Sequence, residues 1–390
     1  MNSEEILARL VAFDTTSTMS NLALIDFVRN LLDDHNIESQ LVHNDEKTCA
    51  NLYATIGPED CGGIMLSGHT DVVPTAGQEW HSDPYQLKTE DRLLFGRGAC
   101  DMKGFIACVL AGLPQMTAQR LQIPVHLAFS YDEEIGCVGA RRLVETMAGF
   151  EVRPRLGLIG EPTNMRMVLG HKGKVSYRVS VIGLSCHSAY INSGVNAVEY
   201  AAELIAFIRG MNKHAQEQIT DPSYSVPYTT FHVGNINGGT ALNIVPNQCH
   251  FEFEIRNLPQ QNLDTLVHEI RHFANDILLA DMQTRYPDSD IRFDELSCYP
   301  GLHTDPASTV IAYTRAINPI DEIGDNVSFG TEAGLFDGIG INSLVCGPGS
   351  IDQAHKPDEF VSREQMRYCD DMIENLVHHC RNTAEFVPTS

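Results

Sequence analysis

The sequence predicts an α/β protein of two domains, a larger one built on a largely parallel sheet and a smaller inserted one of βαββαβ order. Short apolar runs that end in polar clusters alternate with helical stretches in the first and last parts of the chain. Between them, residues 172–298 have the strand and helix order of a ferredoxin-like domain. We therefore expect a discontinuous first domain, residues 1–171 and 299–390, that contains the second domain.

The elements of the first domain follow from apolar spacing. Helical periodicity is present in the N-terminal stretch MNSEEILARLVAF and in LALIDFVRNLLDDH. Three short apolar runs are predicted as strands: IMLSGHTD, VHLAFSYDEE and RLGLIGEP. The helix KGFIACVLAGLPQM separates the first two of these strands. Near the end of the sequence the alternation of strand and helix returns, with the strand INSLVCGPG and the closing helix SREQMRYCDDMIENLVHHCRNTA. Ligands of parallel sheets bind beyond the carboxyl ends of the strands, which is where the polar clusters lie.

The inserted domain alternates differently. KVSYRVSVIG has the period of two that predicts a half-buried strand, and NAVEYAAELIAFIRGMNKHA predicts a long helix. TTFHVGNING and NQCHFEFEIRN are strands around a glycine-rich turn, LDTLVHEIRHFANDILL is a second helix, and DIRFDELS is the last strand. This order completes the predicted βαββαβ unit.

Composition excludes several classes of partner. The net charge of −24 opposes binding to nucleic acid and to anionic membrane surfaces. The N-terminus lacks the basic region of a signal peptide, and no apolar run approaches the roughly 18 residues of a membrane span. The 11 cysteines are scattered without a CxxC pair, which favours reduced thiols. We expect a cytoplasmic protein with no nucleic-acid or membrane partner.

Five polar clusters carry the candidate chemistry. A lone histidine or an acidic triplet is usually an ordinary surface feature, so the interpretation depends on their joint placement: His69-Thr-Asp71, Gly98-Ala-Cys-Asp101, Asp132-Glu133-Glu134, Gly160-Glu161-Pro162 and Ala354-His355-Lys356. Side chains two apart on a strand share a face, so the Asp71 carboxylate can reach and orient the His69 ring. Histidines and carboxylates on one rim are ligands for zinc or a similar divalent ion, and a shared carboxylate would make a two-metal site. One acid would remain as a general base.

Other hydrolytic and nucleotide-binding motifs are absent from the sequence. It contains no GxSxG elbow and no HExxH helix, and neither GRGACD nor GHKGK fits a phosphate-binding loop.

At these clusters the sequence resembles the M20 family of metal-dependent amidohydrolases and peptidases. The stretches SGHTDVVP, GRGACDMKG, YDEEIG, IGEPT and AHKPDEF occur in that family's order and span nearly the whole chain. The resemblance implies a zinc-peptidase-like catalytic domain and an inserted lid that also forms a homodimer. Within the family, GHKGK, FGTEAGLF and CGPGSIDQAHKPDEF are similar to the branch that hydrolyses N2-acetyl-L-ornithine to L-ornithine and acetate.

The resemblance also assigns roles to residues. It implies two divalent ions, zinc before cobalt, held by His69, Asp101, Glu134, Glu161 and His355, with Asp101 bridging both. Asp71 would orient His69, and Glu133 would be the general base. In the lid, His187 and Asn243 would reach the substrate of the other subunit, Arg256 would bind the substrate α-carboxylate, and Gly330 and Thr331 would form a substrate-facing turn. His171 and Lys172 receive no role.

Three alternatives stay open at this point. The substrate could be that of a succinyl-diaminopimelate desuccinylase, another aminoacylase or a dipeptidase, because these relatives share the metal residues. The chain could also be a regulatory descendant that binds metal without catalysis, although Glu133 beside Glu134 argues against it. A purely structural dimer would need no metal.

Overall fold

The structure of the protein, a computed structural model, describes residues 1–383. The chain forms two compact units. Among the described residues, the first consists of Met1–Gly170, Leu302–Asn326 and residues 331–383, and the second of His171–Gly301 and Val327–Gly330.

The first unit is an α/β unit around a six-stranded sheet. Its helices are α1 (Ser3–Val11), α2 (Leu22–Asp33), α3 (Lys103–Ala111), α4 (Leu113–Ala118), α5 (Val138–Ala148), α9 (Thr309–Ile317), α10 (Ala333–Gly338) and α11 (Arg363–Asn382). Its strands are β1 (Ser39–His43), β2 (Ala50–Ile56), β3 (Ile64–His69), β4 (Lys88–Glu90), β5 (Leu93–Phe95), β6 (Val125–Ser130), β7 (Leu156–Ile159), β14 (Asn342–Val345) and β15 (Phe360–Ser362). Strands β4, β5 and β15 form a separate small sheet.

The central sheet has the order β1-β2-β6-β3-β7-β14. Strands β6, β3, β7 and β14 run parallel, while β2 is antiparallel to both of its neighbours. Every residue of β3, β6 and β7 is buried, as is expected of strands whose two faces are both covered. The carboxyl ends of β3, β6 and β7 therefore meet at one edge of the sheet.

Local sequence explains where several helices begin. Asn2 and Glu5 form a reciprocal capping box at the start of α1. The Ser362 side chain accepts a hydrogen bond from the Gln365 amide and caps α11. The buried faces of these helices belong to one apolar core together with the residues of β3 and β6.

The second unit is built on a four-stranded antiparallel sheet. Its strands are β9 (Gly173–Ile182), β10 (Thr230–Gly238), β11 (Gln248–Asn257) and β12 (Asp290–Tyr299), in the order β10-β11-β9-β12. Its helices are α6 (Ala197–Ala215), α7 (Leu263–His272) and α8 (Ala280–Arg285), with a π-helical segment, Phe273–Leu279, between the last two. Short strands β8 (Gly170–His171) and β13 (Leu302–His303) lie where the chain passes between the units.

Burial alternates along the two central strands of this sheet, β9 and β11, with apolar side chains on one face. Val175, Tyr177, Val179 and Val181 of β9 are buried and belong to the second unit's own apolar core, whereas the residues between them are partly or fully exposed. The α/β class, the largely parallel central sheet and the βαββαβ order are all confirmed. The function of the second unit as a lid stays a prediction.

Two sequence expectations concern the whole chain. In the described part of the chain, no helix combines the length and apolarity that a membrane span requires. All cysteines, from Cys49 to Cys380, are free thiols.

Candidate functional site

The candidate site lies at the edge of the central sheet where β3, β6 and β7 end. His69 is the last residue of β3. Glu133 and Glu134 follow β6 by a few residues, and Glu161 follows β7 by two. These side chains are almost wholly buried, with Glu133 at 9% exposure and Glu161 at 4%. The ends of three parallel strands therefore bring one histidine and three acids close together in a buried region.

Asp101 lies between two histidines. Its Oδ1 is 3.0 Å from His69 Nε2, and its Oδ2 is 3.4 Å from His355 Nε2. On one side His69 Nε2 is 3.7 Å from Glu161 Oε1, and on the other His355 Nε2 is 2.9 Å from Glu134 Oε2. Each histidine therefore has its own glutamate, and Asp101 is shared between the two pairs.

Asp71 supports this arrangement from behind. Its carboxylate is 3.6 Å from His69 Nδ1, and its backbone carbonyl oxygen is closer to the same nitrogen, at 2.9 Å. The carboxylate also accepts hydrogen bonds from the Ser17 hydroxyl (2.7 Å) and from the backbone N–H groups of Glu133 (3.0 Å) and Glu134 (3.3 Å). Asp71 thus contacts the His69 ring mainly through its carbonyl, while its carboxylate holds the segment that carries the two glutamates.

The acids of the site repel one another in a buried environment. Burial, together with the charge of Asp101, raises the pKa of Glu161 well above its ordinary value. The same causes raise the pKa of Glu134 to about 7, and burial raises that of Glu133 to about 8. Burial would also raise the pKa of Asp101, but hydrogen bonds from His355 and His69 hold it below its usual value. With all of its acids ionised, the cluster would carry more negative charge than the two histidines can balance.

A divalent cation fits this donor set. Histidine nitrogen and carboxylate oxygen are the ligand types that zinc and related ions take. One group of ligand atoms, from His69, Glu133 and Glu161, lies within 4.8 Å of one another, and a second group is formed by His69, Asp101 and Glu134. A bound cation would also offset the repulsion that raises the acid pKa values.

Comparison with known proteins agrees with this geometry. The model of peptidase family M20/M25/M40 matches residues 65–379. The chain belongs to this family. It is 33% identical over 384 residues to an acetylornithine deacetylase of Shigella sonnei, covering 96% of this chain and 97% of the relative.

Solved structures share the fold. An M20 family metallo-carboxypeptidase of Sulfolobus solfataricus superposes with a TM-score of 0.74 at 18% identity, covering 97% of this chain and 99% of that one. A Bacillus subtilis protein described as a dinuclear metal-binding M20 peptidase has a TM-score of 0.65 at 14% identity, covering 96% of this chain and 97% of that one. Membership confirms the predicted enzyme class, a metal-dependent amidohydrolase or peptidase.

One buried acid of this M20 chain was missed from the sequence. Glu332, fully buried, accepts hydrogen bonds from the hydroxyls of Ser67 (2.5 Å) and Ser130 (2.6 Å). Ser67 lies in β3 two residues before His69, and Ser130 is the last residue of β6, so Glu332 connects the two strands that lead to His69 and Glu133. Burial raises its pKa. An acid inside the apolar stretch GTEAGLF was the only available signal.

The remaining predicted residues divide between the units. In the second unit the exposed His187 and Asn243 lie in adjacent segments, since the Ser188 amide donates to the Asn243 carbonyl at 3.0 Å. His187 Nδ1 accepts from the Ala189 amide at 3.0 Å and caps the 3₁₀ turn Ser188–Ser193.

Gly330 and Thr331, the predicted substrate-facing turn, pack against other residues of the protein. A side chain at Gly330 would collide with the Tyr299 ring, 1.9 Å from the place of a Cβ. The Thr331 hydroxyl is buried and accepts a hydrogen bond from the Ala333 amide at 3.1 Å. Their contact with substrate stays a prediction.

Arg256 lies on the polar face of the second unit's sheet among other cations. Its Nε is 2.8 Å from Glu254 Oε1, and Lys174 Nζ is 3.3 Å from the other oxygen of the same carboxylate. Lys172, only 1% exposed, donates from Nζ to the Tyr228 carbonyl. Burial, then the Arg256 charge, lowers the pKa of Lys172 to about 8. Arg256 and Lys174 therefore share one carboxylate, and Lys172 lies near enough for the Arg256 charge to affect it, so the local excess of positive charge favours an added anion.

Proposed function

We propose that the protein hydrolyses the N-acetyl amide of N2-acetyl-L-ornithine to L-ornithine and acetate, a reaction of arginine biosynthesis. The observation that carries the proposal is the likeness, over almost the whole chain, to a relative named acetylornithine deacetylase. The geometry agrees with the reaction class, because Asp101 lies between two histidine–glutamate pairs and Glu133 stands beside them.

Two divalent ions, zinc first and cobalt as the alternative, would lie at His69–Glu161 and at His355–Glu134 with Asp101 shared. When bound they would supply Lewis-acid activation of water and of the amide carbonyl. The choice of metal is not encoded by these ligands, which suit both ions.

Glu133 would take the proton of the attacking water and pass it to the leaving nitrogen. This role is worth about 10²–10⁴-fold in rate. Asp71 holds the Glu133 amide at 3.0 Å and so restricts where the carboxyl can point. His187 would donate a hydrogen bond to the oxygen of the amide as it gains negative charge. Asn243 would act with it, both from the partner of a homodimer formed through the second unit.

Arg256 would bind the substrate α-carboxylate. Guanidinium and carboxylate form paired hydrogen bonds, and the excess of cations around Glu254 supports an anion there. Gly330 and Thr331 would form a turn that faces the substrate. We further propose a cytoplasmic location, which the free thiols support.

A substrate panel tests the proposal. The purified protein is supplied with zinc or cobalt and offered N2-acetyl-L-ornithine, N-succinyl-diaminopimelate and a small dipeptide. We expect the highest kcat/KM for acetylornithine. Faster turnover of either other compound would overturn the substrate assignment and leave the metal-dependent class intact. Light scattering of the same sample measures the oligomeric state, for which we expect a dimer.

A further inference from the structure

A buried polar network behind the site links the two loops that carry Asp101 and His355. Its centre is the ion pair of Arg97 and Glu359, 2.8 Å apart, with both side chains 1% exposed. These residues are separated by more than half the chain, and neither belongs to the ligand set.

Glu359 organises the loop that presents Asp101. One of its oxygens accepts the backbone N–H groups of Cys100 (2.9 Å) and Asp101 (3.0 Å), and the other accepts that of Gly98 (3.0 Å). Hydrogen bonds from successive amides to one carboxylate fix the backbone that places the Asp101 side chain. Burial raises the pKa of Glu359, and the Asp101 charge adds to this rise.

Arg97 connects this loop to the other one. Its Nη1 donates to the Lys356 carbonyl at 3.3 Å as well as to Glu359, and its Nη2 donates to Gln78 Oε1. Gln78 in turn donates from Nε2 to the carbonyl oxygen of His355 at 2.9 Å. The guanidinium also lies over the Trp80 ring, 5.0 Å from its centroid. His355 itself has a positive φ of 63°, a conformation that needs support from its surroundings.

We infer that Gln78, Arg97 and Glu359 are positioning residues that act on the two metal ions unequally. Glu359 holds the amide of the shared ligand Asp101, so it supports both ions. Gln78 hydrogen-bonds the His355 carbonyl directly and is linked to the Asp101 loop only through Arg97 and Glu359, so it supports mainly the ion at His355 and Glu134. The inference rests on the proposed two-ion site.

The test compares zinc binding by the full chain and two variants, Gln78→Met and Glu359→Gln. Outer partners of metal ligands typically contribute about 10–100-fold in affinity. Isothermal titration of the metal-free proteins should show that Gln78→Met loses about 10–100-fold for one ion and keeps the other. Glu359→Gln should lose a similar factor for both. Gln119→Met, an exposed position away from this network, serves as the matched control and should bind like the parent.

Cobalt adds a readout that simple loss of stability would not change. In the visible spectrum of the Co²⁺-loaded Gln78→Met protein, the absorption of one of the two ions should differ from that in the parent. The circular dichroism of the metal-free variant, recorded in chelator, should match that of the parent. Equal weakening of both ions in Gln78→Met, or none, would overturn the inference. If Glu359→Gln fails to fold, the Gln78→Met comparison alone decides. A parent protein that binds fewer than two ions would instead refute the proposed site, so the two failures are distinguishable.

Discussion

Replacing Glu133 by glutamine separates the two roles that its position allows, proton carrier and metal ligand. Its carboxylate lies in one group with His69 and Glu161, all within 4.8 Å, so distance alone would admit either role. As the base, Glu133 would be needed for the proton transfer and not for holding the ions. We therefore expect Glu133→Gln to bind two ions and to lose about 10²–10⁴-fold in kcat, or about 2.7–5.5 kcal/mol of barrier lowering.

The metal-free variant should fold at least as well as the parent. In the folded protein burial raises the pKa of Glu133 to about 8 from an ordinary value of 4.5. The folded state therefore binds the proton more tightly, and stability falls as pH rises from 4.5 towards 8. At pH 7 this amounts to up to about 3 kcal/mol, a cost that an uncharged glutamine removes. Chemical denaturation in chelator at pH 7 should show Glu133→Gln to be the more stable protein.

Glu134→Gln is the matched control, since Glu134 Oε2 is 2.9 Å from His355 Nε2 and is proposed as a ligand. It should lose one ion in a zinc titration, whereas Glu133→Gln should not. Ornithine release measured with saturating zinc completes the comparison. A Glu133→Gln protein that binds a single ion, or that turns over at the parent rate, would refute the assignment of the base.

Three further outcomes follow from other buried groups. Burial lowers the pKa of His126 to about 4 from 6.5, so the unfolded chain binds the proton more tightly and stability falls as pH falls through that range. Urea denaturation in chelator measures the free energy of unfolding at pH 7 and at pH 5. Between these two values His126→Gln should lose about 2 kcal/mol less of this free energy than the parent, and equal losses would contradict the reasoning. Glu332→Ala should destabilise the metal-free protein by about 3 kcal/mol, because the Ser67 and Ser130 hydroxyls lose their acceptor, and Glu332→Gln should be milder; thermal unfolding measures both. Zinc at about 100 times its Kd should add about 2.7 kcal/mol per ion to the stability of the parent, and a melting temperature unmoved by zinc would argue against any site.

The fold could be predicted from sequence because its signals are local. Apolar runs such as those of β3 and β6 are buried on both faces, and the period of two in β9 matches a sheet with one buried face. The π-helical segment Phe273–Leu279 was not predicted, because periodicity does not distinguish it from the α-helix around it. Nor does local pattern assign Val327–Gly330 to the second unit, since that grouping depends on contacts distant in sequence.

The sequence also predicted part of the candidate site, namely those residues that a local pattern marks. Polar residues at strand ends can be recognised in the sequence because they interrupt an apolar run, as His69 and Glu161 do. Glu359 interrupts no apolar run, and Glu332 interrupts only the short stretch GTEAGLF. The partners of both acids lie far away in the chain: Glu332 contacts Ser130, and Glu359 contacts Arg97. The sequence also suggested that the Asp71 carboxylate orients His69, but it could not foresee that the backbone carbonyl makes the closer contact, at 2.9 Å.

The placement of these supports follows from the charge of the site itself. Buried carboxylates that repel one another would move apart in the absence of a cation, and the cost of holding them together must be met by contacts outside the cluster. Asp71 holds the amides of Glu133 and Glu134, Glu359 holds that of Asp101, and both act on backbone rather than on the ligand side chains. These supports bond to the backbone and so occupy none of the ligand oxygens, which stay available to a metal ion. Contacts of this kind do not depend on a bound ion, so an ion that binds would gain from relieving the repulsion among the acids.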